Sequence, residues 1–160
     1  MKLKDLTFKG GVNVPHYKEF TEKLSIQKAL EPEMVTIPLH QHTGAPCEPL
    51  VKVGDEVKVG QKIGQSEAFV SAPVHSSVSG MVKSIVPMAI PTGLTVKCVV
   101  IESDGKNEIH ESVKPKGNLE ELSPKEIIEI IKEAGITGMG GAGFPTHVQL
   151  SPPSDKKIDT

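Results

Sequence analysis

The stretch Val51-Lys52-Val53-Gly54-Asp55-Glu56-Val57-Lys58-Val59-Gly60-Gln61-Lys62-Ile63-Gly64-Gln65, within residues 50–86, decides the fold. Short runs rich in Val and Ile alternate with polar residues, and Gly54, Gly60, Gly64 and Gly80 fall between them. That pattern predicts short strands joined by tight turns. Val53-Gly54-Asp55 and Val59-Gly60-Gln61 each supply a residue that takes positive φ without steric cost. The stretch divides into residues 50–66 and 72–86, each giving a few strands of a flattened antiparallel barrel.

Composition narrows the function classes. The chain has 160 residues, 37% hydrophobic and only 3% aromatic, with no Trp, so its core must be aliphatic. Net charge is −2, and all 18 basic residues are Lys. Neither a global positive field nor an Arg fork is present to recognise nucleic acid. Cys47 and Cys98 stand far apart, outside any C-x-x-C spacing, and read as two buried thiols. No apolar run has the length of a membrane span, and Met-Lys-Leu-Lys-Asp-Leu-Thr-Phe at the start has no signal-peptide core.

Around the central stretch, residues 1–33 read as an extension packing on a surface. Met34 to Leu39 reads as a strand that Pro38 sends to a sheet edge. His40 and His42 alternate as two ligands on one strand face would, but a third ligand is not evident and the structural role weighs more. His75 reads as a hydrogen-bonded turn residue. Residues 87–93, with two prolines and a glycine, predict a loop, residues 95–102 a strong strand, and Ile109 a return strand after the Asp104-Gly105 turn.

Residues 112–122 read as a linker. Ser123-Pro124-Lys125-Glu126 then predicts a capped helix with Ile127, Ile130, Ile131 and Ala134 as its apolar stripe and Gly135 as its stop. Four glycines follow within residues 138–143, ahead of Phe144-Pro145-Thr146. Bare backbone of this kind lets several N–H groups approach an anion, with phosphate the natural occupant. Gly138-x-Gly140-x-x-Gly143 matches the dinucleotide fingerprint only formally, because it follows a helix and not a strand.

Two resemblances join these motifs. Residues 51–63, with Ala72-Pro73-Val74-His75-Ser76-Ser77-Val78-Ser79-Gly80-Met81-Val82, resemble the two halves of a biotinyl/lipoyl-carrier, or barrel-sandwich hybrid, domain. In carriers a hairpin between the halves presents a modified lysine. Here that hairpin reads Glu67-Ala68-Phe69-Val70-Ser71, with Val70 at the lysine position, while Lys62 and Lys83 belong to strands or turns.

The loop Gly138-Met139-Gly140-Gly141-Ala142-Gly143-Phe144-Pro145-Thr146 is similar to the flavin-phosphate loop of the complex I flavoprotein subunit. The whole order of parts, with Phe8-Lys9-Gly10-Gly11-Val12 and residues 38–46, resembles the RnfC family, one of the components of the Rnf electron-transport complex.

The resemblance implies a mainly β chain with a helical C-terminal segment. Its parts are an extension (1–33), a barrel-sandwich hybrid domain (34–111), a linker (112–122), and the start of a truncated α/β domain for FMN and NADH (123–160). It implies a membrane-associated oxidoreductase component, peripheral on the cytoplasmic side. That component would exchange electrons between NADH/NAD and iron–sulfur carriers, coupled to ion transport, beside the other subunits of the membrane complex. Gly138, Gly140, Gly141, Ala142, Gly143 and Phe144 would line the FMN phosphate and adjoining ring. Gln149 stands where family members often have lysine, and the segments for the iron–sulfur clusters would lie beyond this sequence. One loop does not enclose an isoalloxazine ring, so residues 1–160 are expected to be inactive alone, to hold FMN weakly, and to lack the sheet on which residues 137–160 would pack. Two alternatives remain open: a docking module without chemistry, and a carrier, which Val70 disfavours.

Overall fold

The structure, a computed structural model, describes residues 15–153. The Phe8–Val12 motif and the run from Asp155 to Thr160 lie outside the described residues. Two compact units divide at Leu30. In the first, a turn is held by Thr21 and Glu22 N–H donating to the Lys18 carbonyl, and Tyr17, Phe20, Leu24, Ile26 and Leu30 are all exposed.

The second unit is built on two antiparallel sheets. Its strands are β1 (Met34–Pro38), β2 (Glu48–Pro49), β3 (Glu56–Val57), β4 (Lys62–Gln65), β5 (Val74–His75), β6 (Gly80–Ala89) and β7 (Thr95–Ser103). One sheet has the order β1-β7-β6-β3 and the other β2-β4-β5. The two halves of the central stretch therefore interlock: β3 of the first pairs with β6 of the second, and β4 with β5. Between the sheets lie Ile37, Val57, Val82, Val99 and Ile101 from one side and Ile63 and Val74 from the other, closed by Leu39, Cys47 and Val78. This is the aliphatic core that the composition demanded.

The Gly54 and Gly60 turns use the same local chemistry. In each, the Lys carbonyl (Lys52, Lys58) accepts from the N–H three residues on (Asp55, Gln61). The Asp55 or Gln61 side chain in return accepts from the Lys N–H at 3.0 Å. With φ of +93° and +77°, both turns favour glycine at the third position.

Two expectations change. Residues 87–89 are not loop but the end of β6, and the turn falls after Ala89. Proline is tolerated there because the Lys97 carbonyl, opposite Pro87, points away to the Leu39 N–H. The Pro87–Lys97 pair thus exchanges no hydrogen bond, and the missing N–H faces the open side of β6. Ile109 forms no return strand: it makes one isolated parallel bridge with Val59, flanked by Val59 N–H to Glu108 O and His110 N–H to Val59 O.

Helix α1 (Pro124–Glu133) carries the capping box in full, with Ser123 and Glu126 each satisfying the other's backbone N–H. Gly135, at φ +67°, ends it. Ile127, Ile130 and Ile131 are half-buried, and none of the helix is fully buried. The helix, the loop after it and a short α2 (Thr146–Gln149) all belong to the same compact unit as the sheets. Residues 137–153 thus do pack, against the sandwich itself and not against a further sheet.

Candidate functional site

The glycine loop is closed at its base by a single antiparallel bridge between Thr137 and Pro145. Gly138 N–H donates to Phe144 O at 2.9 Å, and Thr146 N–H donates to Ile136 O at 3.0 Å. Gly138, Gly140, Gly141, Ala142, Gly143 and Phe144 therefore lie on one excursion. Gly140, Gly141 and Ala142 are exposed, while Gly138, Gly143 and Phe144 are half-buried.

The amides of Met139, Gly140, Gly141, Gly143 and Phe144 donate to no acceptor among the described residues. A Cβ added at Gly140 or Gly141 would meet nothing within 4 Å. Open space beside unpaired amides is what a phosphate oxygen requires, so these residues fit the phosphate end of FMN. Gln149, at the exposed end of α2, is neutral and adds no charge to them.

The loop rests on a turn of the sandwich that precedes it by about a hundred residues. Thr43 Oγ donates to Ala142 O at 2.7 Å, and Thr43 N–H donates to Gly143 O at 3.2 Å. Gly143, at φ +64°, lies so close that a Cβ there would be 3.3 Å from Gln41 O. After the loop, His147 on α2 is buried, and its Nε2–H donates to Phe69 O at 3.2 Å, while Nδ1 has no partner among the described residues.

His42 and His40 do not converge on a shared ligand. His42 is buried: Ala72 N–H donates to its Nε2 at 3.0 Å, so Nδ1 carries the proton and donates to Thr43 O at 3.1 Å. His40 is turned to Gly44 O at 3.2 Å. Among the described residues no group of three His, Cys, Asp or Glu side chains is placed to hold a metal ion. Both cysteines are buried and free; Cys47 donates to Ala72 O, and burial pushes both thiols above their usual range. His75 is half-buried beside Gly135, where burial first and then Lys62 hold its pKa down, against an opposing pull from Glu133.

The segment at the carrier-lysine position is no projecting hairpin. Residues 67–70 form a bend between β4 and β5, and Val70 is half-buried. Val70 O accepts from Ala45 N–H at 3.0 Å, and its backbone abuts Gly44 so closely that no Cβ fits there. Neither Lys62 nor Lys83 takes its place: Lys62 is engaged with Gln65 and Glu133, and Lys83 with Glu102.

Thr43 and His147 were not legible as partners of the loop. Nothing in the spacing of residues so far apart signals their contact, and only the fold brings them together.

Comparison with known proteins agrees with the barrel-sandwich fold. Residues 6–106 match the family model described as the RnfC barrel sandwich hybrid domain. The chain is 48% identical over 159 residues to the C subunit of the Na(+)-translocating ferredoxin:NAD(+) oxidoreductase complex of Acetobacterium woodii, covering 99% of this chain and 36% of that protein. It is 49% identical over 153 residues to the C subunit of the proton-translocating ferredoxin:NAD(+) oxidoreductase complex of Clostridium ljungdahlii, covering 96% and 34%. The C subunit of the ion-translocating oxidoreductase complex of Pseudomonas aeruginosa is 40% identical over 158 residues, covering 96% and 20%. The chain thus spans about a third of the length of the first two relatives.

Proposed function

This chain belongs to the RnfC barrel sandwich hybrid family, and we propose that it is the N-terminal part of the RnfC component of an ion-translocating ferredoxin:NAD oxidoreductase complex. In that component, residues 138–144 form the phosphate end of an FMN site, and the rest of the flavin pocket comes from sequence beyond residue 160. The observation that carries this reading is the loop itself. Its amides at Met139, Gly140, Gly141, Gly143 and Phe144 have no partner among the described residues, whereas the carbonyls of Ala142, Gly143 and Phe144 are bound inward.

FMN held there would supply the exchange between the two-electron hydride chemistry of NADH/NAD and the one-electron chemistry of iron–sulfur carriers expected in the later part of the subunit. The residues described here do not perform that chemistry. They hold the phosphate by backbone N–H groups, with neutral Gln149 at the position where family members often have lysine, and Phe144 borders the ring. The sandwich carries no lysine at the carrier position and supports the loop. The partners are the other subunits of the membrane complex, with this part peripheral on the cytoplasmic face; among the described residues no helix is long and apolar enough to cross a membrane.

Residues 1–160 and the whole subunit, purified in parallel, test the proposal through visible absorbance and FMN content. Flavin retained by the whole subunit alone supports a composite site in which this loop is one wall. Flavin in neither, under matched conditions, removes the loop from flavin binding, and saturable micromolar FMN binding by residues 1–160 refutes the composite site.

A further inference from the structure

In a carrier, the segment between the two sandwich halves serves a modified lysine. Here its backbone is engaged with the chain's own loops. Val70 O holds Ala45 N–H, and Ala72 N–H holds the buried His42 ring, so both ends of the turn at residues 42–45 are tied to one short segment. Phe69 O accepts from His147 Nε2–H, just beyond the glycine loop. The same segment therefore steadies the loop's support on one side and its exit on the other.

Thr43 is where that support reaches the loop. It binds two successive loop carbonyls, Ala142 O through its hydroxyl and Gly143 O through its N–H. In a planar trans peptide the carbonyl and the following N–H point in opposite directions. Drawing those two carbonyls toward Thr43 turns the N–H groups of Gly143 and Phe144 away from it, and neither donates to an acceptor among the described residues.

We propose that Thr43 is a positioning residue for the phosphate end of the flavin site, and that the carrier-like domain, through it, sets the direction of the loop amides. This rests on the reading of residues 138–144 as an FMN-phosphate loop. Thr43 touches no flavin atom in this scheme. It acts only through Ala142 and Gly143, so its removal weakens binding of the phosphate and not of the ring.

The test uses the whole subunit, stripped of flavin, titrated with FMN and with riboflavin, which has the same ring and no phosphate. The wild-type protein should bind FMN more tightly than riboflavin. Thr43→Val, at an exposed position, should weaken FMN roughly three- to tenfold, the range of one lost hydrogen bond. Riboflavin affinity should stay within about twofold, and Thr43→Ser should restore FMN binding. Amide exchange at residues 139–144 should quicken in Thr43→Val and not in Thr43→Ser. Unchanged FMN affinity and exchange in Thr43→Val, while the wild type still prefers FMN, overturn the role of Thr43 alone. A wild-type protein that binds FMN and riboflavin equally overturns the phosphate-loop reading, and this inference with it.

Discussion

Gly135→Ala should detach α1 and the glycine loop from the sandwich while leaving the sheets folded. Two costs combine at this position. Gly135 sits at φ +67°, and a non-glycine residue in that conformation costs about 1–2 kcal/mol. A Cβ there would also run into the Pro73 carbonyl, a backbone atom that cannot swing aside, and would come into contact with the His75 ring at 3.4 Å. Forced overpacking of this kind costs about 1–3 kcal/mol. The sum, about 2–5 kcal/mol, is comparable to what holds the helix down: the half-buried Ile127, Ile130 and Ile131, roughly 2–4 kcal/mol together, and one part-exposed Lys62–Glu133 pair, worth ~1 kcal/mol or less. The strain is therefore relieved by local opening. Native-state hydrogen exchange reads this directly. Amides of α1 should exchange roughly thirtyfold faster or more in the variant, and those of β7 should not change. Protection of α1 altered by less than about threefold would show that the Pro73–Gly135 contact does not hold the helix in place.

Other perturbations read separate parts of the structure. Ile63→Ala empties a fully buried core position and should lower unfolding stability by about 2–5 kcal/mol in urea titrations, with m unchanged. Ser123→Ala removes half of the capping box and should cost about 0.5–2 kcal/mol, seen as faster exchange of first-turn amides in α1. Val70→Lys, co-expressed with a biotin or lipoate ligase, should keep its unmodified intact mass, because residues 67–70 are a bend tied to Ala45 and His147 and not a projecting hairpin. His75 is held below its usual 6.5, so the folded state disfavours the proton that the unfolded chain accepts. Its contribution is complete above about pH 7 and declines as pH falls through about 6.5, and His75→Gln should flatten that part of the Tm–pH profile.

What the sequence made legible is what local chemistry dictates. The glycine turns at Gly54 and Gly60, the aliphatic core and the Ser123–Gly135 helix with both its ends follow from residues within a few positions of one another. The reading of residues 87–89 failed because proline content alone does not say which neighbours a strand has. Pro87 is compatible with β6 since its nitrogen faces an unpaired edge, a fact of register that appears only when Lys97 is seen to bond Leu39. Ile109 failed for a related reason: the Asp104-Gly105 turn sends the chain across to Val59 and not back along β7.

The site divides along the same line. The openness of its backbone was readable in the glycines, because unhindered amides are a property of the residues themselves. Its support was not, because Thr43 meets Ala142 across 99 positions of sequence and no periodicity encodes that contact. The lysine position belongs to both categories. That Val70 cannot be acylated is evident from its side chain, but what replaced the lost role is a matter of backbone. Phe69 and Val70 each offer a carbonyl, one to His147 and one to Ala45, and such contacts place little demand on side-chain identity at either carbonyl. A segment freed from presenting a lysine can therefore take up a structural task without a signature in its residues. The relation between sandwich and loop is accordingly to be sought in how they open together, and less in which side chains they carry.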